Sequence, residues 1–129
     1  MIANTVIGTS FQGVFNYCLG EKKGAKVLGF SEDIIMKGDG DPLFFAKQFE
    51  GHVADYRHTL RSDFKNVVDH TSLSFGYQDE LNEQELLEIA QKFMIDKGYE
   101  DCQYVVIQHF DTEHMHVHLV LNRVDESGG

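Results

Sequence analysis

Apolar and polar positions change their spacing several times along this chain, and each change marks an element. Residues 2–9, IANTVIGT, alternate loosely and are rich in β-branched side chains, which predicts a strand. Ser10 is placed to cap a short helix over 11–19, FQGVFNYCL, that ends at Gly20. Residues 21–24 form a charged turn, and 25–30, AKVLGF, suit a short strand or extended segment. GDGDP at 38–42 is the sharpest break: Gly and Asp favour turns, and Pro42 fits the first position of a helix with Asp41 as its cap. Leu43, Phe44, Ala46, Phe49, Val53 and Tyr56 then recur at helical spacing and carry that helix to about residue 62. Residues 67–75, VVDHTSLSF, are β-rich. Leu81-Asn82-Glu83 opens a second long helix on Leu86, Leu87, Ile89, Ala90, Phe93 and Met94, closed by Lys97-Gly98. QYVVIQHF at 103–110 and MHVHLVLNRV at 115–124 are strong strands, and the 111–114 loop between them is short enough for a hairpin.

This order mixes hairpin and crossover connections. It predicts an α+β fold with a mainly antiparallel central sheet and helices packed on one face. A length of 129 residues suits one core, expected over 1–125, with 126–129 as a linker or truncation point and the whole as the N-terminal part of a longer protein. Ten Phe, five Tyr and an apolar fraction of 42% argue against disorder. No apolar run approaches the ~18 residues of a membrane span, and the N-terminus lacks the basic-then-apolar order of a signal peptide. Two cysteines, Cys18 and Cys102, cannot make a disulfide framework. These features together predict a reduced, cytoplasmic protein with no membrane partner.

A formal charge of −10 changes the picture, because nucleic-acid binders usually carry positive charge. The deficit is uneven. Residues 78–100 hold seven acidic residues against two lysines, half of the net charge, in a segment that reads as a solvated helix. Residues 1–30 are net positive, with Lys22, Lys23 and Lys26 against Glu21. Net charge governs solubility and encounter, and leaves room for a local anion site.

The chemistry concentrates near the C-terminus. His109, His114, His116 and His118 are four of the chain's seven histidines, within ten residues. Side chains alternate along a strand, so Met115, Val117, Leu119 and Leu121 share one face while His116, His118, Val120 and Asn122 share the other. His109 is in phase with Val105 and Ile107. If the two strands pair through the 111–114 loop, His109 comes near His116, and three imidazoles meet on one patch of sheet. Two His at i and i+2 with a third from a neighbouring strand make a three-point metal site with open positions. Asp111 could orient one imidazole or simply form the turn. A solvated, His-rich hairpin is the plainer alternative. On the 67–75 strand His70, Ser72 and Ser74 share one face.

The segment His109-Phe-Asp-Thr-Glu-His-Met-His-Val-His-Leu-Val-Leu-Asn-Arg-Val124 resembles the third motif of MobP-type plasmid mobilization relaxases, in the HUH endonuclease superfamily. The match falls on His109, Asp111, His116, His118 and Asn122. Two earlier motifs stand in the order that family has: Phe11-Gln-Gly-Val-Phe-Asn-Tyr-Cys-Leu19, which would make Tyr17 the nucleophile, and His70-Thr-Ser-Leu-Ser-Phe75, which would make Ser74 a hydrogen-bond donor to a DNA phosphate. The resemblance implies site- and strand-specific nicking of single-stranded DNA at an origin of transfer, with a 5′-phosphotyrosyl intermediate on Tyr17. It implies a divalent metal, Mg²⁺ or Mn²⁺, on His109, His116 and His118, with Zn²⁺ or Ni²⁺ able to take the site in a crystal. Asp111 would be catalytic, and Ser74, Lys22, Lys23 and Asn122 would contact DNA. An accessory mobilization protein and a bacterial cytoplasm are implied as setting. Other readings stay open. A replication initiator or transposase of the same superfamily normally has its Tyr after the His pair, and none follows Val124. A non-haem iron oxygenase would use His109 and Asp111 but leave His116, His118 and Tyr17 unexplained. A metal-binding docking module would suit the acidity.

Overall fold

The computed structural model describes residues 1–20, 24–76, 79–110 and 115–126. Lys22, Lys23, Asp111, His114 and the 111–114 connection lie outside the described residues. The elements follow the order β1 (Ile2–Gly8), α1 (Phe11–Leu19), β2 (Ala25–Phe30), α2 (Pro42–Tyr56), β3 (Val68–Ser74), α3 (Glu83–Asp96), β4 (Cys102–His109) and β5 (His116–Asp125). The strands form one sheet in the order β1-β3-β5-β4-β2, and every neighbouring pair is antiparallel. The α+β class and the antiparallel sheet are therefore those the sequence predicts.

The helices do not share one face, however. α1 and α2 cover the face carrying Val68, Val105, Ile107, Val120 and Val124. α3 covers the other, packing Leu86, Ala90 and Met94 against Leu73, Val106, Val117, Leu119 and Leu121. The reason is in the strands themselves. β4 and β5 read as nearly continuous apolar runs, so both of their faces need cover. β5 is the central strand, flanked by β3 and β4.

Local chemistry explains the helix ends. Ser10 Oγ accepts from Gly13 N at 2.9 Å at the start of α1. Asp41 accepts from Leu43 N and Phe44 N ahead of Pro42. Asn82 and Glu85 form a reciprocal capping box on α3. At the far end of α3, Gly98 takes φ +86°, Gly98 N donates to Ile95 O, and Tyr99 N donates to Met94 O. That pair of bonds is a Schellman closure, and it needs the left-handed backbone that glycine adopts without strain. α2 ends at Tyr56, earlier than the apolar spacing predicts. A 3₁₀ turn, Arg57–Thr59, follows. There the Thr59 hydroxyl donates to Tyr56 O, a terminal carbonyl of α2, and Arg57 donates to the carbonyls of Arg61 and Phe64, which fixes the segment that follows.

α1 is fixed by aromatic packing. Phe11, Phe15 and Cys18, at helical spacing, form its buried stripe. Phe15 stacks on Phe45 at 5.4 Å and meets Phe49 edge-on at 5.2 Å, while Phe11 meets Phe49 at 5.2 Å. Among the described residues, no helix is long and apolar enough to cross a membrane.

Two buried groups have structural roles. Asn122, expected at the DNA, is fully buried. Its Nδ2 donates to Gln103 Oε1 at 3.0 Å and Phe49 O at 3.3 Å, and its Oδ1 accepts from Val124 N at 3.0 Å. It sits under α2 and ties that helix to β4 and β5, so it cannot reach a nucleic acid. Cys102 is also buried. Burial, then the charges of Asp125, Asp101, Asp69 and Glu126, pushes its thiol up to about 12. A raised folded-state value keeps the thiol protonated through neutral pH. Any stability tied to it is full below the ordinary thiol range and is lost as pH rises through about 12.

Three outcomes follow from this packing. Phe15→Ala should cost about 3–5 kcal/mol in chemical denaturation, a large share of a small domain's stability. Asn122→Ala should cost about 1–3 kcal/mol by leaving buried partners unsatisfied, yet leave the DNA affinity of the folded fraction unchanged in a binding titration. At about pH 8.5, iodoacetamide should spare Cys102 in the native protein and label it in urea, as read by peptide mass mapping.

Candidate active site

Strand register assembles the site. His109 pairs with His116 across β4 and β5, His118 lies opposite Ile107, and on its other side β5 sets Ser72 against His118 and Ser74 against His116. His70 on β3 faces Val120 and points to the same side as His118. The α1–α2 face of the sheet thus changes character along its length. It is apolar at the end holding Val68, Val124 and Asn122, and it carries imidazoles at the other.

α1 crosses above those imidazoles and brings Tyr17 and Cys18 with it. His70 Nε2 lies 2.7 Å from His118 Nδ1, so one of these nitrogens donates to the other. The two rings are 5.0 Å apart, and His109 lies 4.0 Å from His118 between centroids. His109 Nε2 is 2.9 Å from Cys18 O. A carbonyl only accepts, so Nε2 carries the hydrogen, and in the neutral ring Nδ1 is the nitrogen with the lone pair. Cys18 Sγ lies 3.8 Å from His70 Nε2. Among the described residues, the donor atoms of Cys18, His70 and His118 all fall within 4.8 Å of one another. His116 Nδ1 lies 3.5 Å from Ser74 Oγ, at the rim.

Burial sets the electrostatics. Desolvation lowers the His70 pKa; Asp69, beside it in sequence, opposes this, and His109 adds to it. The net direction favours a neutral imidazole, the form that binds a cation or accepts a proton. Asp69 points to the opposite face, where it accepts from Thr71 Oγ1 at 2.7 Å and pairs with Lys97 at 3.1 Å.

Tyr17 is 53% exposed although its ring touches the cluster, edge-on to His70 at 5.9 Å and to His118 at 6.1 Å. It lines a cleft of about 360 Å³ with Asn4, Val6, Ser72, His70 and His118. A phenol beside imidazoles, in a cleft open to a bulky substrate, is an arrangement chemically able to support group transfer.

The site contains two residues that strand pairing near the C-terminus does not reveal. The sequence placed His70 in phase with Ser72 and Ser74 without giving it a role, and only the β3–β5 register brings it toward His118. Cys18 looks like a packing residue in sequence, and only the crossing of α1 over the sheet brings its sulfur to the histidines. α3, the acidic helix, packs on the far face of the sheet. Glu83, Glu85 and Glu88 are exposed there, with Glu83 paired to Lys26 at 2.8 Å.

No curated protein and no solved structure matches the chain significantly. A family model does: the MobA/VirD2-like nuclease domain of relaxases matches residues 17–129, from the exposed tyrosine through the histidine strands. With that match over most of its length, the chain belongs to the relaxase family as a MobA/VirD2-like nuclease domain.

Proposed function

We propose that this DNA-nicking domain cleaves one strand at an origin of transfer by attack of the Tyr17 hydroxyl on a backbone phosphate. The supporting observation is the exposed Tyr17 ring held against His70 and His118 at the mouth of the cleft. A new bond joins Tyr17 Oη to phosphorus, the bond to the 3′ oxygen breaks, and a 3′-hydroxyl leaves. The 5′-phosphotyrosyl link conserves the energy of the phosphodiester, so the strand can later be rejoined.

A phenol with an ordinary pKa of ~10 is a weak nucleophile at neutral pH. Its proton must pass to a neighbouring base as attack proceeds. Asp111, two residues beyond His109, is assigned to orient an imidazole or take part in that transfer. Ser74, at the rim beside His116, is assigned to donate to a phosphate oxygen. Lys22 and Lys23, just past α1, are assigned to the DNA backbone.

The donor chemistry of this face fits a divalent cation. It offers several imidazoles, one of them with its tautomer set by the Cys18 carbonyl. His109, His116 and His118 are assigned to hold Mg²⁺ or Mn²⁺. Such an ion, when bound, draws charge from a non-bridging phosphate oxygen and lowers the barrier to attack. The chain's acidity does not oppose the reading at α3, whose Glu83, Glu85, Glu88 and Asp96 stand against Lys92 alone, because this helix lies across the sheet from Tyr17. An accessory mobilization protein would add the remaining positive surface for single-stranded DNA, in a bacterial cytoplasm. Residues 1–125 would act as the nuclease part of a longer protein.

Incubation with single-stranded origin oligonucleotides and Mn²⁺, followed by a denaturing gel, should yield a covalent protein–DNA adduct. Tyr17→Phe keeps the ring and its packing, so it should lose the adduct while its circular dichroism spectrum and melting point stay close to wild type. An adduct surviving in Tyr17→Phe would move the nucleophile to another tyrosine. His118→Ala should retain the adduct chemistry but lower kcat/KM by about 10²–10³-fold, the scale of a lost electrostatic stabiliser.

A further inference from the structure

We propose that Cys18, His70 and His118 form a thiolate-containing site for a borderline-soft divalent cation of the Zn²⁺ kind. The proposal rests on the nuclease reading for its consequence in catalysis, and on donor geometry alone for its existence. The donor atoms are Cys18 Sγ, His70 Nε2 and His118 Nδ1, all within 4.8 Å of one another. Zn–S bonds of ~2.3 Å and Zn–N bonds of ~2.0–2.1 Å in tetrahedral geometry place sulfur and nitrogen ~3.6 Å apart and two nitrogens ~3.3 Å apart. Cys18 Sγ and His70 Nε2 already stand at 3.8 Å. His70 Nε2 and His118 Nδ1 stand at 2.7 Å because they share a hydrogen bond, and they need only separate slightly to admit an ion.

The proton balance closes. The thiol gives up its proton to solvent on binding. The hydrogen shared by the two imidazoles moves to the outer nitrogen of whichever ring carries it, so both rings bind neutral. One thiolate and two neutral imidazoles leave a dication with one net positive charge facing the cleft beside Tyr17. The cleft supplies an open fourth position for water or a phosphate oxygen.

Donor type decides which metal is held. The Cys18 thiolate, a soft donor that the His109, His116 and His118 set lacks, favours Zn²⁺ and its borderline neighbours. The Cys18, His70 and His118 set contains no carboxylate or carbonyl oxygen. Cys18 is fully buried and His118 is 8% exposed, so the sulfur is shielded from exchange with solvent. His118 also belongs to the imidazole set assigned to Mg²⁺ or Mn²⁺. Zn²⁺ on Cys18 therefore engages a ligand that the nicking reaction uses, and it should inhibit Mn²⁺-supported cleavage.

X-ray absorption at the zinc edge tests this on the wild-type protein loaded with one equivalent of Zn²⁺. The expected shell has one sulfur at ~2.3 Å with nitrogens at ~2.0–2.1 Å. A shell of nitrogen and oxygen only would overturn the proposal. In parallel, Co²⁺ should give a thiolate-to-cobalt charge-transfer band that Cys102→Ala keeps and Cys18→Ser loses. Cys18→Ser should weaken Zn²⁺ binding by at least the upper end of the ~10–100-fold range seen for lost supporting contacts. A band unchanged in Cys18→Ser would also overturn it. An adduct formed with Mn²⁺ beside a sulfur-free zinc shell sinks this proposal and leaves the nuclease reading standing. A sulfur shell with no adduct from any origin oligonucleotide does the reverse.

Discussion

The position of α1 across the sheet is the constraint on which the rest depends. Phe11 and Phe15 lock it among Phe45 and Phe49, and the same helix carries Tyr17 and Cys18 over the histidines. Because Phe15 and Cys18 lie on the buried stripe of α1, Tyr17 falls beside that stripe, touching the cluster yet open to the cleft. The bond from His109 Nε2 to Cys18 O ties helix to sheet at that point. The hydrophobic core thus sets the distance between the Tyr17 ring and the imidazoles, and preorganisation of that kind is what the proposed transfer reaction would need.

A sheet buried on both faces could not tolerate several unpaired histidines. Burying a polar group without a partner costs roughly 1–3 kcal/mol by mutational measures. Here the imidazoles bond to one another and to a backbone carbonyl. The same accounting holds elsewhere in the core. Asp69 has Lys97 and Thr71, and Asn122 has Gln103, Phe49 and Val124.

Separation of charge follows from the same two-sided architecture. α3 carries exposed Glu83, Glu85 and Glu88 on the face opposite Tyr17. With a Debye length of ~8 Å at physiological salt, exposed carboxylates across the sheet act weakly on an anion at the cleft. A strongly acidic chain can therefore present a site for a phosphate backbone.

The order and type of the elements are legible along the chain, because they rest on local physics. Alternation gave the strands, helical spacing with Ser10, Asp41 and Asn82 gave the helix starts, and Gly98 gave the close of α3. The sequence also placed His116 and His118 on one face of their strand, since side-chain direction along a strand has period two, while the β4–β5 register brought His109 to the same face. The end of α2 was less legible, because Thr59 bonds the Tyr56 carbonyl and Arg57 bonds carbonyls of the segment beyond the helix. Asn122 looked like a DNA contact in sequence, but a spacing pattern does not reveal that α2 lies on top of it. Tertiary structure decided which helix covers which face, that His70 meets His118, and that the Cys18 sulfur stands among the imidazoles. Those relations join residues some 50 positions apart. They depend on strand order and on aromatic packing between α1 and α2, and no local rule of spacing or propensity contains either.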